Sequence, residues 1–96
     1  MDIIKFLETA EASIFLKINP LMKRNVTIQG KRTSLTLEPL IWDILNEVAS
    51  EKDCSVHDLC TMIKERKDDG ISMSSAIRVF LTGYLFIKYK KAQSKE

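Results

Sequence analysis

Between Lys23 and Leu37 apolar side chains recur at every second position on both sides of Gln29-Gly30, and at Pro39 the period changes abruptly to 3.6. A chain with that switch must place a strand or hairpin directly before a helix. Val26 and Ile28 precede the glycine and Leu35 and Leu37 follow it, so the segment is either a hairpin bending at Gly30 or a single strand over about 32–37 with an extended arm before it. From Pro39, an early helical residue, Ile41, Ile44, Leu45 and Val48 form one stripe that ends near Ser50. A tight connection at Asp53-Cys54 then leads to Ser55, whose hydroxyl caps a second helix, with Asp58 three residues on in a capping-box-like place. Val56, Leu59, Cys60 and Ile63 are its apolar side, and Lys64 to Gly70 ends it in solvent.

A third helix starts after Ser72 or Ser74 and runs to about Lys90, with Ala76, Val79, Phe80, Gly83 and Ile87 on one side and Ile77, Leu81 and Leu85 on the other. A helix apolar nearly all round needs several partners. At the other end, Ile3, Leu7, Ala10 and Ile14 predict an amphipathic helix over 2–18 that stops before Asn19-Pro20. Its Ile3, Leu7, Ile14 and Phe15 either hang loose or cover the third helix.

Ninety-six residues with 45% hydrophobic and 29% charged content make one small globular domain, neither disordered nor fibrous. Three Gly and two Pro are too few for a sandwich or barrel, so the fold class is mainly α. Cys54 and Cys60 are six apart in a turn and the helix after it, a poor disulfide geometry, and both are expected to be reduced. The longest uninterrupted apolar stretch, Tyr84 to Ile87, is far short of the ~20 residues of a membrane span, and no signal peptide is legible, which predicts a cytoplasmic protein with no membrane partner.

The net charge of +2 hides an uneven distribution. Lys23, Arg24, Lys31 and Arg32 come without an acid, and Lys88, Lys90, Lys91 and Lys95 face only Glu96. Between them residues 35–60 hold Glu38, Asp43, Glu47, Glu51, Asp53 and Asp58 against the single cation Lys52. Such a chain can present one positive face to nucleic acid.

One short strand and two helices leave backbone groups unpaired and enclose little core, which predicts an obligate homodimer. Two strands then pair into an antiparallel ribbon over intertwined helices. Arg32, Ser34 and Thr36 stand on its outer face. The expected dimer core is Leu35, Leu37, Ile41, Trp42, Ile44, Leu45, Val48, Val56, Leu59 and Ile63. A two-stranded ribbon fits the major groove of DNA.

The run from Lys23 to Glu38, then Pro39-x-x-Trp42, Ser55-x-x-x-Leu59 and Ser74-Ser75-Ala76-x-Arg78-Val79-Phe80, resembles the ribbon-helix-helix DNA-binding family. More closely, it is similar to a subgroup of short bacterial ribbon-helix-helix proteins. The likeness covers about residues 22–86. It implies a dimeric transcriptional regulator that reads bases through Arg32, Ser34 and Thr36. It also implies phosphate binding by the backbone N–H groups of Val56 and His57 behind Ser55, a role that fits the anion affinity of helix N-termini. Lys23, Arg24 and Lys31 are further phosphate candidates. The third helix is extra to the minimal fold, and suggests an antitoxin- or adaptor-type module binding a partner protein there as the alternative.

Cys54, His57 and Cys60 are spaced in threes, but a closed zinc site wants four ligands and the chain has no other Cys or His. No metal, cofactor or catalytic residue is expected, nor is an enzyme. The expected organisation is an extension over 1–21, a ribbon-helix-helix domain with its additional helix over 22–90, and a basic tail over 91–96.

Overall fold

The computed structural model describes residues 2–12 and 20–94. Ile14, Phe15, Asn19, Lys95 and Glu96, on which parts of the reading above fall, lie outside them. The hairpin is formed: β1 (Met22–Ile28) pairs antiparallel with β2 (Lys31–Leu37), with Ile28 opposite Lys31 and Met22 opposite Leu37. Gln29 at φ 52° and Gly30 at φ 78° supply the two left-handed residues that a type I′ turn requires. The expectation that the strand finds no neighbour within its own chain is therefore corrected. Its neighbour is the arm before it.

Three helices follow: α2 (Pro39–Glu51), α3 (Val56–Arg66) and α4 (Met73–Ser94), after the short N-terminal α1 (Ile3–Leu7). Pro39 opens α2, and the Ser55 hydroxyl caps α3 by accepting from the N–H of Asp58 at 2.9 Å. Ser72 does the same for α4 through Ser75, and α4 continues through Lys91 to Ser94, so the start of the expected tail is helical. The long N-terminal helix is also corrected. It is interrupted at Glu8-Thr9, where the Thr9 hydroxyl donates to the carbonyl of Phe6, and resumes over residues 10–12, with the same hydroxyl accepting from the N–H of Ala12 as an N-cap does.

The helices share one face of the hairpin, and the core lies between. Leu37, Leu45, Cys60 and Ile77 are fully buried, with Leu81 and Trp42 nearly so. Of the residues expected at a dimer core, Leu35, Leu37, Trp42, Leu45, Val48, Leu59 and Ile63 are buried within one chain, while Ile41, Ile44 and Val56 are half-buried against them. The third helix and β1 make up the core that two helices alone would lack. Two ion pairs fasten α4: Arg78 to Glu38 at 2.9 Å, and Lys88 to Glu51 at 2.9 Å. Val79 is 72% exposed, because α4 buries its Ile77–Leu81 side and turns Val79, Leu85, Phe86 and Ile87 outward.

Candidate nucleic-acid interface

Alternation sorts the hairpin into two faces. Val26, Ile28, Leu35 and Leu37 point to the helices. Lys23, Asn25 and Thr27 of β1 stand on the other face, directly opposite Thr36, Ser34 and Arg32 of β2. Arg32 and Ser34 are exposed and Thr36 is half-buried, so the three expected base-reading residues do share the outer face. That face carries two cations and no carboxylate.

The turn also fixes which backbone groups point sideways. Because Ile28 and Lys31 close a two-residue loop, they exchange backbone hydrogen bonds, and every second residue from them bonds across the hairpin. The N–H and C=O of Thr27 point to the outer edge of β1, and those of Arg32, Ser34 and Thr36 to the outer edge of β2. The two edges are treated differently. On β1, the N–H of Thr27 donates to Nδ1 of His57 at 2.9 Å and that of Gln29, in the turn, to the Thr61 hydroxyl at 2.9 Å, so α3 closes the turn end of that edge, while the outward backbone groups of Asn25 and Lys23 receive no hydrogen bond among the described residues. On β2, no hydrogen bond reaches the backbone of Arg32, Ser34 or Thr36 among the described residues.

The expected phosphate contacts separate into groups. Lys23 is exposed on the outer face, and Lys31 is exposed at the hairpin tip but belongs to the helix-facing alternation. Arg24 is also on the helix side, with its guanidinium 5.3 Å from the centre of the Trp42 ring. Trp42 in turn donates its indole N–H to the carbonyl of Met22 at 2.8 Å, which anchors the start of β1. Ser55 is committed to capping α3, leaving the N–H groups of Val56 and His57 without a bonded acceptor among the described residues. The edge-closing role of His57 and Thr61 was missed from the sequence. Their four-residue spacing on an exposed helix face is the one signal that could have found it.

Cys60 is fully buried, and burial pushes its thiol up to about 11. A thiol so protonated is the opposite of an activated nucleophile. Among the described residues no three His, Cys, Asp or Glu side chains gather as a metal site would need, and no helix is long and apolar enough to cross a membrane.

No curated protein matches the chain. Among solved structures it is similar to an uncharacterized protein from Bordetella pertussis Tohama I, at 25% identity and a TM-score of 0.65, over 88% of this chain and 74% of that one. A family model described as a ribbon-helix-helix domain matches residues 21–85. Because that span takes in both strands of the hairpin, both following helices and more than half of α4, the chain belongs to the ribbon-helix-helix domain family.

Proposed function

We propose that the protein is a homodimeric transcriptional regulator of bacterial type, working in the cytoplasm, that lays paired β2 strands in the major groove of DNA. Ribbon-helix-helix proteins as a class bind DNA, which supports the general role. The observation that carries the reading is the bare edge of β2 beside an outer face bearing Arg32, Ser34 and Thr36. Ser34 is the midpoint of Lys31–Leu37, so a second copy pairing antiparallel about it matches the whole strand, Arg32 facing the second Thr36. All outward N–H and C=O groups of Arg32, Ser34 and Thr36 are then used, and no like charges meet. Two strands about 4.8 Å apart enter a groove about 12 Å wide. Ser34 and Thr36 are short, so base discrimination rests mainly on Arg32, whose pairing to guanine is worth about 1–3 kcal/mol. Lys23, Lys31 and the N–H groups of Val56 and His57 take phosphates. Arg24 sits over Trp42 on the opposite face and contributes positive potential rather than contact.

The test is binding of the purified chain to random and selected duplexes across a salt titration. A specific site should bind tighter than random DNA by roughly 10³–10⁷. Equal, weak binding to all duplexes would leave a charged domain with no reading head.

A second reading, an antitoxin- or adaptor-type module, draws on the exposed apolar side of α4. Met62 and Ile71 join Val79 and Phe80 in a groove between α3 and α4. It takes precedence if the chain binds no duplex while Phe80→Glu abolishes association with a protein encoded by a neighbouring gene.

A further inference from the structure

We infer that the outer face of β1 is a track for the DNA phosphate backbone, with Asn25 and Thr27 as contact residues alongside Lys23. The inference rests on the DNA-binding reading above and extends it to a strand that the minimal ribbon lacks.

The placement of α3 carries the argument. His57 bonds Thr27 and Thr61 bonds Gln29, so four residues of helix, about 6 Å, are matched to two residues of strand, about 6.7 Å, in the same direction. Helix α3 therefore runs parallel to the edge of β1, with its first turn beside Thr27. β1 lies between β2 and the N-terminus of α3. A duplex that meets Arg32 and Ser34 on one side and the N–H groups of Val56 and His57 on the other must cross the outer face of β1.

Width argues for phosphates rather than bases there. If two copies join at β2, the sheet has the order β1, β2, β2, β1, and its outer strands stand about 14 Å apart, three strand spacings. That slightly exceeds the groove width of about 12 Å, so each β1 comes over a groove wall, where the phosphates are. The residues suit the place. Lys, Asn and Thr are common phosphate contacts, and among the described residues Lys23 and Asn25 make no side-chain hydrogen bond or ion pair, whereas Arg24, Arg78 and Lys88 are engaged.

The experiment compares Asn25→Asp, Asn25→Ala and Lys23→Ala with Arg32→Ala in the full chain, measuring affinity for a selected duplex and for a random-sequence duplex pool against salt. Asn25→Asp keeps the side chain's shape but sets a carboxylate against a phosphate, and should weaken binding to both DNAs by the same factor. Asn25→Ala should do so more mildly. Lys23→Ala should flatten the salt slope by about 0.9 for each chain bound. Arg32→Ala should instead erode the preference for the selected duplex. The track is overturned if Asn25→Asp binds both DNAs as the parent does while Arg32→Ala does not, an outcome that leaves DNA binding itself standing. Loss of preference in Asn25→Ala, with random binding unchanged, would make Asn25 a base contact and overturn the track as well. A parent that binds neither DNA removes both readings.

Discussion

The imidazole of His57 accepts the backbone N–H of Thr27 across 30 positions of sequence, closing the turn end of one edge of a two-stranded sheet whose other edge receives no hydrogen bond among the described residues. An exposed edge invites a further strand, and a closed one does not. Replacing both His57 and Thr61 by Ala should open the first edge. Amide exchange at Thr27 and Gln29 should then quicken relative to the rest of the hairpin, and equal exchange in parent and variant would show that the two side chains do not protect it.

The bare edge gives the test for dimerisation. Ser34 directs its N–H away from β1, so Ser34→Pro removes the central donor of the β2 edge without breaking a hairpin bond. The parent should sediment as a dimer at micromolar concentration and melt at higher temperature as concentration rises. The variant should keep its helical signal and sediment as a monomer.

Reading and folding should separate cleanly on β2. Arg32→Ala removes an exposed side chain, and DNA affinity should fall while stability moves by no more than about 0.5 kcal/mol. Leu37→Ala empties a fully buried position and should cost about 2–5 kcal/mol, seen in denaturant unfolding.

Acid should loosen the attachment of α4. The Glu38 carboxyl is held below its ordinary 4.5, first by hydrogen bonding to its own backbone and then by Arg78. Glu51 is held below 4.5 by the hydrogen bond from Lys88, with Tyr84 contributing. A carboxyl whose folded value is depressed stabilises fully above its unfolded value and loses that contribution as pH falls through the folded one. Melting temperature should therefore decline below about pH 4.5, and Glu38→Gln should flatten the decline. Lys88 has the opposite sign: held above 10.5 by Glu51, it contributes fully below that pH and ceases to as pH rises through its raised value.

Residues 1–21 should be dispensable for fold and DNA binding. Ile3 and Ile4 are more than half exposed and the main core begins at Val26, although Ala12 is buried. A chain beginning at Met22 should stay folded. A loss above about 2 kcal/mol, the scale of burying a large apolar side chain, would place the segment in the core.

The helices and their caps were legible because each is a local signal: Pro39 at a first turn, Ser55 and Ser72 before apolar periodicity. The outer placement of Arg32, Ser34 and Thr36 followed from alternation alone. The choice between hairpin and arm did not, since both alternate identically and Gln29 is an unusual residue for a left-handed turn position. The break at Thr9 depends on a hydroxyl that bonds the turn before it and caps the turn after it, which periodicity does not register. The position of α3 beside β1 rests on contacts 30 and 32 residues apart, and nothing local announces them.

The two-residue turn at Gln29-Gly30 sets an order of events during folding. Strands joined so closely meet within roughly 1–10 μs, far sooner than two chains at cellular dilution find each other. The outer face of the hairpin, with its two cations, is therefore built from neighbouring residues of one chain and needs no second copy to take shape. In the proposed dimer, association would double a surface that each chain already carries, so protein concentration, rather than the folding of the chain, would set when two such faces act together.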